Sequence, residues 1–470
     1  MYPDWVLKHK AKGTNISCIN GRYYLYKVSS VWNKEKKRAQ KITEEYLGRI
    51  TETGLIAPKM KNEKPPANVS VKEYGAASVI TELGSDILVR LREIFPKQAE
   101  TVFALAVLRV IEPNPFKRME QAYKHSYLSE MFKGLKLSGK DISLFLREFG
   151  ESRAKMVEFM RGLFGENEHI LFDGTSIITK SEKMNINRLG YNAHREYEPQ
   201  INLLYAFSCE SRIPAYYRIV PGNIKDVSAF KLSLVETKLS NLIVVADKGF
   251  GSKANFDLLE ESDIKYIIPL RRNSSLFDTS KLQSGNKAEL DGYFLFNERP
   301  IWHYRTTETI VYIDNDLKNE EEKDYIKRIE KNLEGYTKEG FIERQYKFGS
   351  IVIKTNLDKT PQEIYSLYKE RREIEQSFDF LKNLLEQDKS YMQNEKSLES
   401  WAFINHLALM LNYKIYNLLR IHSLLAKFSV SDFICHLKYI FKVKADSQWI
   451  TTEISAKSYK LLLGLGLHIT

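Results

Sequence analysis

Residues 360–386 read TPQEIYSLYKERREIEQSFDFLKNLLE, and the rest of the chain is organised around them. Thr360 is placed to cap a helix, Pro361 suits its first position, and Glu363 completes a capping box. At about 100° per residue, Leu367, Ile374, Phe378, Leu381 and Leu385 fall in one arc, the face a protein buries. Beside that arc, within about 60° on the same wheel, lie Tyr368, Arg371, Glu375 and Lys382. A phenol, a guanidinium, a carboxylate and an ammonium thus share one stripe at the edge of a core, where a cleft can sit. A plain solvated face is the alternative. What separates the two is the spacing, Y-x2-R-x3-E-x6-K.

Size and composition set the frame. The 470 residues are 28% charged and 43% hydrophobic, ordinary for a soluble globular chain. That length has room for about three domains with cores. No apolar run approaches a membrane span, and MYPDWVLKHK lacks the apolar stretch of a signal peptide, so the expected setting is cytoplasmic. Cys18, Cys209 and Cys435 are isolated, which argues against a disulfide frame or a zinc knuckle. Net charge is +11 and favours a polyanion such as DNA. Gly134 to Lys140 (GLKLSGK) fits a phosphate-cradling GxxxxGK. Asp141 stands where Ser or Thr should hold Mg²⁺, however, so Ser138 reads as a helix cap and no nucleotide is expected.

The Tyr368, Arg371, Glu375, Lys382 spacing is similar to the Tyr-Arg-Glu-Lys signature of DDE transposases of bacterial insertion sequences, the IS-four superfamily. In that family the Glu closes an Asp-Asp-Glu triad. Two aspartates sit in matching surroundings upstream. Asp173 lies in the strand-like Ile170–Ile178, and Asp247 follows the apolar run Asn241–Ala246. The strand-like segments 169–178, 200–208 and 213–220, a helix from Asp226 to about Ser240, the run ending at Ala246, a helix at 252–262 and the strand-like 264–270 follow the order of an RNase H-like fold. The resemblance covers about residues 165–415.

The expected architecture is therefore α/β, with an RNase H-like catalytic core interrupted by a mostly β insertion domain. Residues 1–66 read as a β-rich arm and linker. Their basic run around Trp32, with Lys36, Lys37 and Arg38, is either a solvated hairpin or a DNA-contacting arm. Residues 67–164 read as a helical DNA-binding region, 165–273 as the first part of the core, and 274–356 as the insertion. The core then resumes over 357–415 with its catalytic helix, and 416–470 read as a C-terminal helical region. Within the insertion, Asn319 opens a charged helix to about Leu333. Within the last segment, Phe428 to Val443 reads as a helix.

Ionised carboxylates beside apolar elements are costly unless paired. Bringing two of them to about 4 Å costs on the order of 4 kcal/mol at an effective dielectric near 20. Asp173, Asp247 and Glu375 together are thus expected to hold a hard cation, Mg²⁺ or Mn²⁺. Two such ions, roughly 3.5–4 Å apart, activate water or a 3′-hydroxyl at a phosphodiester. As separate residues, the aspartates also fit plain turns before Gly174 and Gly249. Lys382 lies seven residues past Glu375, about 10 Å along a helix, too far to share the metal. Tyr368, Arg371 and Lys382 are then phosphate contacts, as the resemblance also implies. Arg271 and Arg272 are further phosphate candidates. Asn223 and Asp226 match a family-like PGNxxD segment, with capping an equal reading for Asp226. Trp302 is either a buried β aromatic or, as relatives with an insertion-domain Trp imply, a platform for a base pushed out of the duplex.

The resemblance implies cleavage at transposon ends and joining of the freed 3′-hydroxyl to target DNA. The implied partners are terminal inverted repeats, target DNA and a second copy of the chain in an end-synapsed homodimer, with no membrane involved and nucleoid association when DNA is bound. A silent DNA-binding repressor on the same fold, or a Mg²⁺ nuclease without strand transfer, is the alternative.

Overall fold

The computed structural model describes residues 2–33, 38–58, 69–165, 168–179, 181–191, 197–223, 232–233, 236, 243–385, 389–445, 448–467 and 469. The chain divides into two compact units, Met1–Val69 and Ser70–Thr470. The first is an antiparallel sheet of β1 (Thr14–Ile19), β2 (Arg22–Asn33), β3 (Arg38–Thr51) and β4 (Gly54–Ile56), in that order. Val6, Ile16, Leu25 and Ile50 form its small core.

The second unit is mixed α/β, built on one large mixed sheet. Its strands are β6 (His169–Thr179), β7 (Arg188–Tyr191), β8 (Tyr197–Ser208), β9 (Ile213–Pro221), β10 (Ile243–Ala246), β11 (Lys265–Pro269), β12 (Gly292–Phe296), β13 (Arg299–Arg305), β14 (Thr309–Asp314), β15 (Ser350–Thr355) and the short β16 (Lys389–Ser390). The earlier β5 (Val69–Glu73) belongs to a different sheet. β6, β8 and β9 form an antiparallel meander. β10 then pairs parallel with both β6 and β11. The helix expected from Asp226 lies almost wholly outside the described residues.

Residues 274–356 do not stand apart from the core sheet. β15 pairs antiparallel with β11, and β14, β13 and β12 follow edge to edge, so the inserted strands lengthen the central sheet. The charged helix expected within this region is present as Asn315–Glu330, 16 residues long. It starts four residues before the sequence reading because Asp314 caps it, accepting from the amides of Asp316 and Leu317 at 3.0 and 3.2 Å.

Helices cover the sheet. The segments α1 (Gly75–Leu83), α2 (Ser85–Ile94), α3 (Ala99–Ile111), α4 (Gly139–Phe149) and α5 (Arg153–Arg161) precede it. Ser138 caps α4 by accepting from the Asp141 amide, as the sequence indicates, in a loop preceded by helix and not by strand. After the sheet, Asn394 caps the 27-residue helix Glu395–Ile421, which is apolar on nearly every side from Trp401 to Tyr413. A helix apolar all round belongs inside. This one packs against α3, α4 and β9 and forms the spine of the unit.

The C-terminal region is not all helical. Phe441–Ala445 and Gln448–Thr451 form a hairpin that pairs with β5, so the expected helix ends at Lys438. Val443 stands opposite Ile450 in that ladder, which satisfies its backbone across strands.

At the β5–α1 junction, Glu73 accepts from the Ala76 amide at 2.6 Å, while its other oxygen is buried without a partner among the described residues. Burial pushes its pKa up to about 7 from an ordinary 4.5, against the backbone hydrogen bonds of Ala76 and Ala77. A raised carboxylate pKa favours the folded state at low pH. That contribution is complete below 4.5 and is lost as pH rises through about 7. Glu73→Gln is therefore expected to gain on the parent by about 2–3 kcal/mol between pH 5 and pH 8, read from urea midpoints. An unchanged difference across that range would refute it.

Candidate active site

β6 and β10 run parallel with Phe172 opposite Ala246, and Asp173 and Asp247 are the next residue of each. Adjacent strands lie about 4.8 Å apart, so two carboxylates stem from neighbouring strands at one level. Val244, Val245 and Ala246 are fully buried, and a charged residue finds water only where such a run stops. Each aspartate folds onto the amide that follows it, Asp173 onto Gly174 at 2.8 Å and Asp247 onto Lys248 at 2.6 Å. In Asp247 this bond caps the turn Lys248–Phe250.

The third carboxylate comes from the 360–386 segment. Its capping box forms as read, with Thr360 accepting from the Glu363 amide and Glu363 reaching back to the Thr360 amide at 2.9 Å. The continuous helix does not form. It is broken into Pro361–Lys369 and Arg372–Asp379, and the last turn, Phe380–Leu384, is a π-helix. At the break, Arg371 N donates to Tyr368 O and Glu373 N to Glu370 O, both three residues back. At the far end Leu385 N reaches Phe380 O, five residues back. Such tightened and widened turns re-aim side chains. Tyr368, Arg371, Glu375 and Lys382 therefore do not share the single regular stripe that a wheel gives.

Aromatic packing holds the Arg372–Asp379 helix on the sheet. Phe378 meets Tyr205 edge-on with ring centroids 6.0 Å apart, and Tyr205 stands opposite Asp173 in the β6–β8 ladder. From the long helix behind, the Tyr413 hydroxyl donates to Glu373 O at 2.7 Å. Glu375 stands one turn before Phe378 on this anchored helix.

Arg371 joins the pieces. One guanidinium nitrogen donates to Asp247 Oδ1 and another to Glu375 Oε1. The Arg371 side chain is 17% exposed, against 35% for Asp247 and 56% for Glu375. Burial opposes the arginine's charge, yet the Glu375 hydrogen bond and the Asp247 charge hold its pKa above the ordinary value. Burial also raises the Tyr368 phenol pKa, with Arg371 opposing and Asp247 and Glu375 adding to the rise. The phenol is neutral at physiological pH and can donate a hydrogen bond.

These groups border a cleft of about 730 Å³ lined by Asp247, Lys248, Arg271, Tyr368, Lys369 and Arg371 among others. Arg271 is exposed and makes no ion pair among the described residues. Arg272 reaches the same cleft but is committed elsewhere, donating to Ser350 O at 2.8 and 3.1 Å and pairing with Glu321 at 2.9 Å. It ties the segment just before the insertion to β15 and to the helix Asn315–Glu330. Lys382, in the π-turn, and Asp173 do not line this cleft.

Trp302 is partly exposed, not buried. It contacts Tyr293, 64% exposed, at 5.0 Å, and the Lys287 ammonium lies 5.0 Å from its ring centre. Arg38 is exposed at the start of β3 in the first unit, while Lys36, Lys37 and Asp226 lie outside the described residues. Asn223 is exposed just after β9. Two lysines of the cleft, Lys248 and Lys369, escaped the sequence reading, although each adjoins a residue it singled out. Burial lowers the Lys369 pKa, against the pull of Asp314.

Three carboxylates without thiolate or imidazole are the donor set of a hard divalent ion. Among the described residues, however, no three His, Cys, Asp or Glu side chains are gathered within reach of one ion. Two of the three are held on a guanidinium instead.

A family model described as "Transposase DDE domain" matches residues 165–411, just over half of the chain. No curated protein matches. Among solved structures, the chain is similar to the piggyBac transposase in its synaptic complex with hairpin DNA, at 9% identity and a TM-score of 0.39 over 78% of this chain and 79% of that one. It is also similar to the Mos1 transposase in a paired-end complex with the left transposon end, at 12% identity and a TM-score of 0.15 over 45% and 62%.

Proposed function

Because the chain belongs to the transposase DDE domain family, whose members cut DNA and transfer strands, we propose that it is the transposase of an insertion sequence of the IS-four type, working from an RNase H-like core. Asp173, Asp247 and Glu375 are its acidic triad. The observation that carries this reading is the register of two paired parallel strands, which sets Asp173 within β6 level with Asp247 just past β10, with Glu375 tied to Asp247 through one guanidinium.

The donor set fits Mg²⁺ or Mn²⁺, held by those three carboxylates, and such ions lower the pKa of water and stabilise a departing alkoxide. The residues of the chain supply the rest. Lys248, Arg271 and Arg371 offer the cleft's charge to phosphates of a DNA end, Arg in a fork and Lys as a point charge. Tyr368 donates from its neutral phenol. Hydrolysis at the end of the element frees a 3′-hydroxyl. That oxygen then attacks a target phosphorus, and the target's own 3′-oxygen leaves. Two ends must be joined, so the active species is a homodimer on terminal repeats and target DNA. The half-exposed Trp302 and Tyr293 pair is a stacking platform beside them.

Incubating the chain with labelled element ends, target DNA and Mg²⁺ tests the reading. Joined products are expected. Nicks alone would make it a nuclease, and binding without products would make it a repressor.

A further inference from the structure

We propose that Arg371 is an internal counter-cation that keeps Asp247 and Glu375 paired while no divalent ion is bound, so that metal loading requires its guanidinium to leave both carboxylates. The inference rests on the reading of those carboxylates as metal ligands. It adds that in the resting protein this place is taken by the chain itself.

Three observations carry it. The fork of Arg371 engages Asp247 Oδ1 and Glu375 Oε1 together, through two different nitrogens. A cation bound at those oxygens would face the guanidinium at like-charge distance, so the two are exclusive. Second, Arg371 sits at the break between Pro361–Lys369 and Arg372–Asp379, where backbone bonds run three residues back. Third, the cleft of about 730 Å³ lined by Arg271, Tyr368 and Arg371 gives the side chain somewhere to go. A DNA phosphate entering there offers the guanidinium a new anion as it gives up the old ones. Charge is exchanged and not exposed.

The test is Mn²⁺ binding to the DNA-free full chain, read from the electron-spin signal of free Mn²⁺. Arg371→Gln is expected to bind Mn²⁺ about tenfold tighter than the parent, within the range usual for coupled sites. Arg371→Lys should fall between them, because an ammonium serves one carboxylate at a time. Equal or weaker binding by Arg371→Gln, while Arg371→Gln with Glu375→Gln loses Mn²⁺, would overturn the counter-cation and leave the triad standing. If the double variant binds like Arg371→Gln alone, Glu375 is no ligand and the reading beneath also falls. Should Arg371→Gln be poorly folded without metal, the Mn²⁺-induced rise in its thermal midpoint gives the same answer, larger than the parent's if the proposal holds and no larger if it fails.

Discussion

Asp173→Asn, Asp247→Asn and Glu375→Gln are each expected to slow cleavage of an element end by about 10³-fold or more, ~4 kcal/mol of transition-state stabilisation. The fold should be undisturbed. Asn keeps an oxygen where Asp173 accepts from Gly174 and where Asp247 accepts from Lys248, so both local hydrogen bonds survive the change. Glu375 is more than half exposed and contributes no packing that Gln does not replace. What each change removes is one negative charge from the proposed triad. The double variants should therefore be hardly slower than the single ones, as groups serving one chemical unit are strongly non-additive. Single-turnover cleavage of a labelled end, beside a thermal melt, decides the matter. More than about a tenth of parental activity in any one of the three would remove that residue from the triad.

The parts of this site legible in sequence are those fixed by local rules. A capping box needs residues three apart, and Thr360 with Glu363 forms one. A buried strand ends where charge begins, and Asp247, the residue after β10, obeys that. Other features depend on partners far along the chain. Nothing around Glu370 and Arg371 breaks a helix by propensity, since neither Gly nor Pro is there. The irregular turn coincides with ion pairs from Arg371 to Asp247, 124 residues away, and to Glu375. The π-turn starts at Phe380, which packs on Tyr413 and Tyr416 at 5.3 and 5.6 Å. A wheel drawn at constant pitch knows neither. In the same way the inserted strands are recognisable one by one, but their joining to the core sheet through β15 and β11 is a choice of partner that alternation does not encode. The paired strands Phe441–Ala445 and Gln448–Thr451 do carry a local signal, the polar sequence Ala445-Asp446-Ser447-Gln448 between alternating segments.

Arg153→Met is expected to destabilise the chain by about 3–5 kcal/mol at neutral pH, the usual effect of stripping one partner from a buried charge cluster. Arg153 opens α5 and reaches three elements at once. It donates to Glu399 at 2.7 Å, to Glu236 at 2.8 Å and to the Tyr217 carbonyl on β9 at 2.9 Å. Met retains most of the apolar stem, so the loss reports charge and hydrogen bonding more than volume. Glu236 would keep Arg218, at 2.9 Å, while Glu399 would keep only the Tyr217 hydroxyl, at 2.6 Å, among its described side-chain partners. Adding Glu399→Gln should recover part of the loss, and the cycle of single and double variants isolates the pair. Acid supplies a second check. Burial works against the Glu236 charge, but Arg153 prevails and its pKa lies below the ordinary 4.5. A depressed carboxylate contributes stability above its unfolded value and loses it as pH falls through the folded one. The gap between parent and Arg153→Met should therefore narrow below about pH 4.5. Urea unfolding at pH 7.5 and pH 4 reads both, and a gap under about 1 kcal/mol at pH 7.5 would show that the cluster contributes nothing to cohesion. The consequence reaches the chemistry, because β9 pairs with β8, β8 with β6, and β6 carries Asp173. Arg153 is thus a fastening between the helices that precede the sheet and the strands that carry the proposed acidic site.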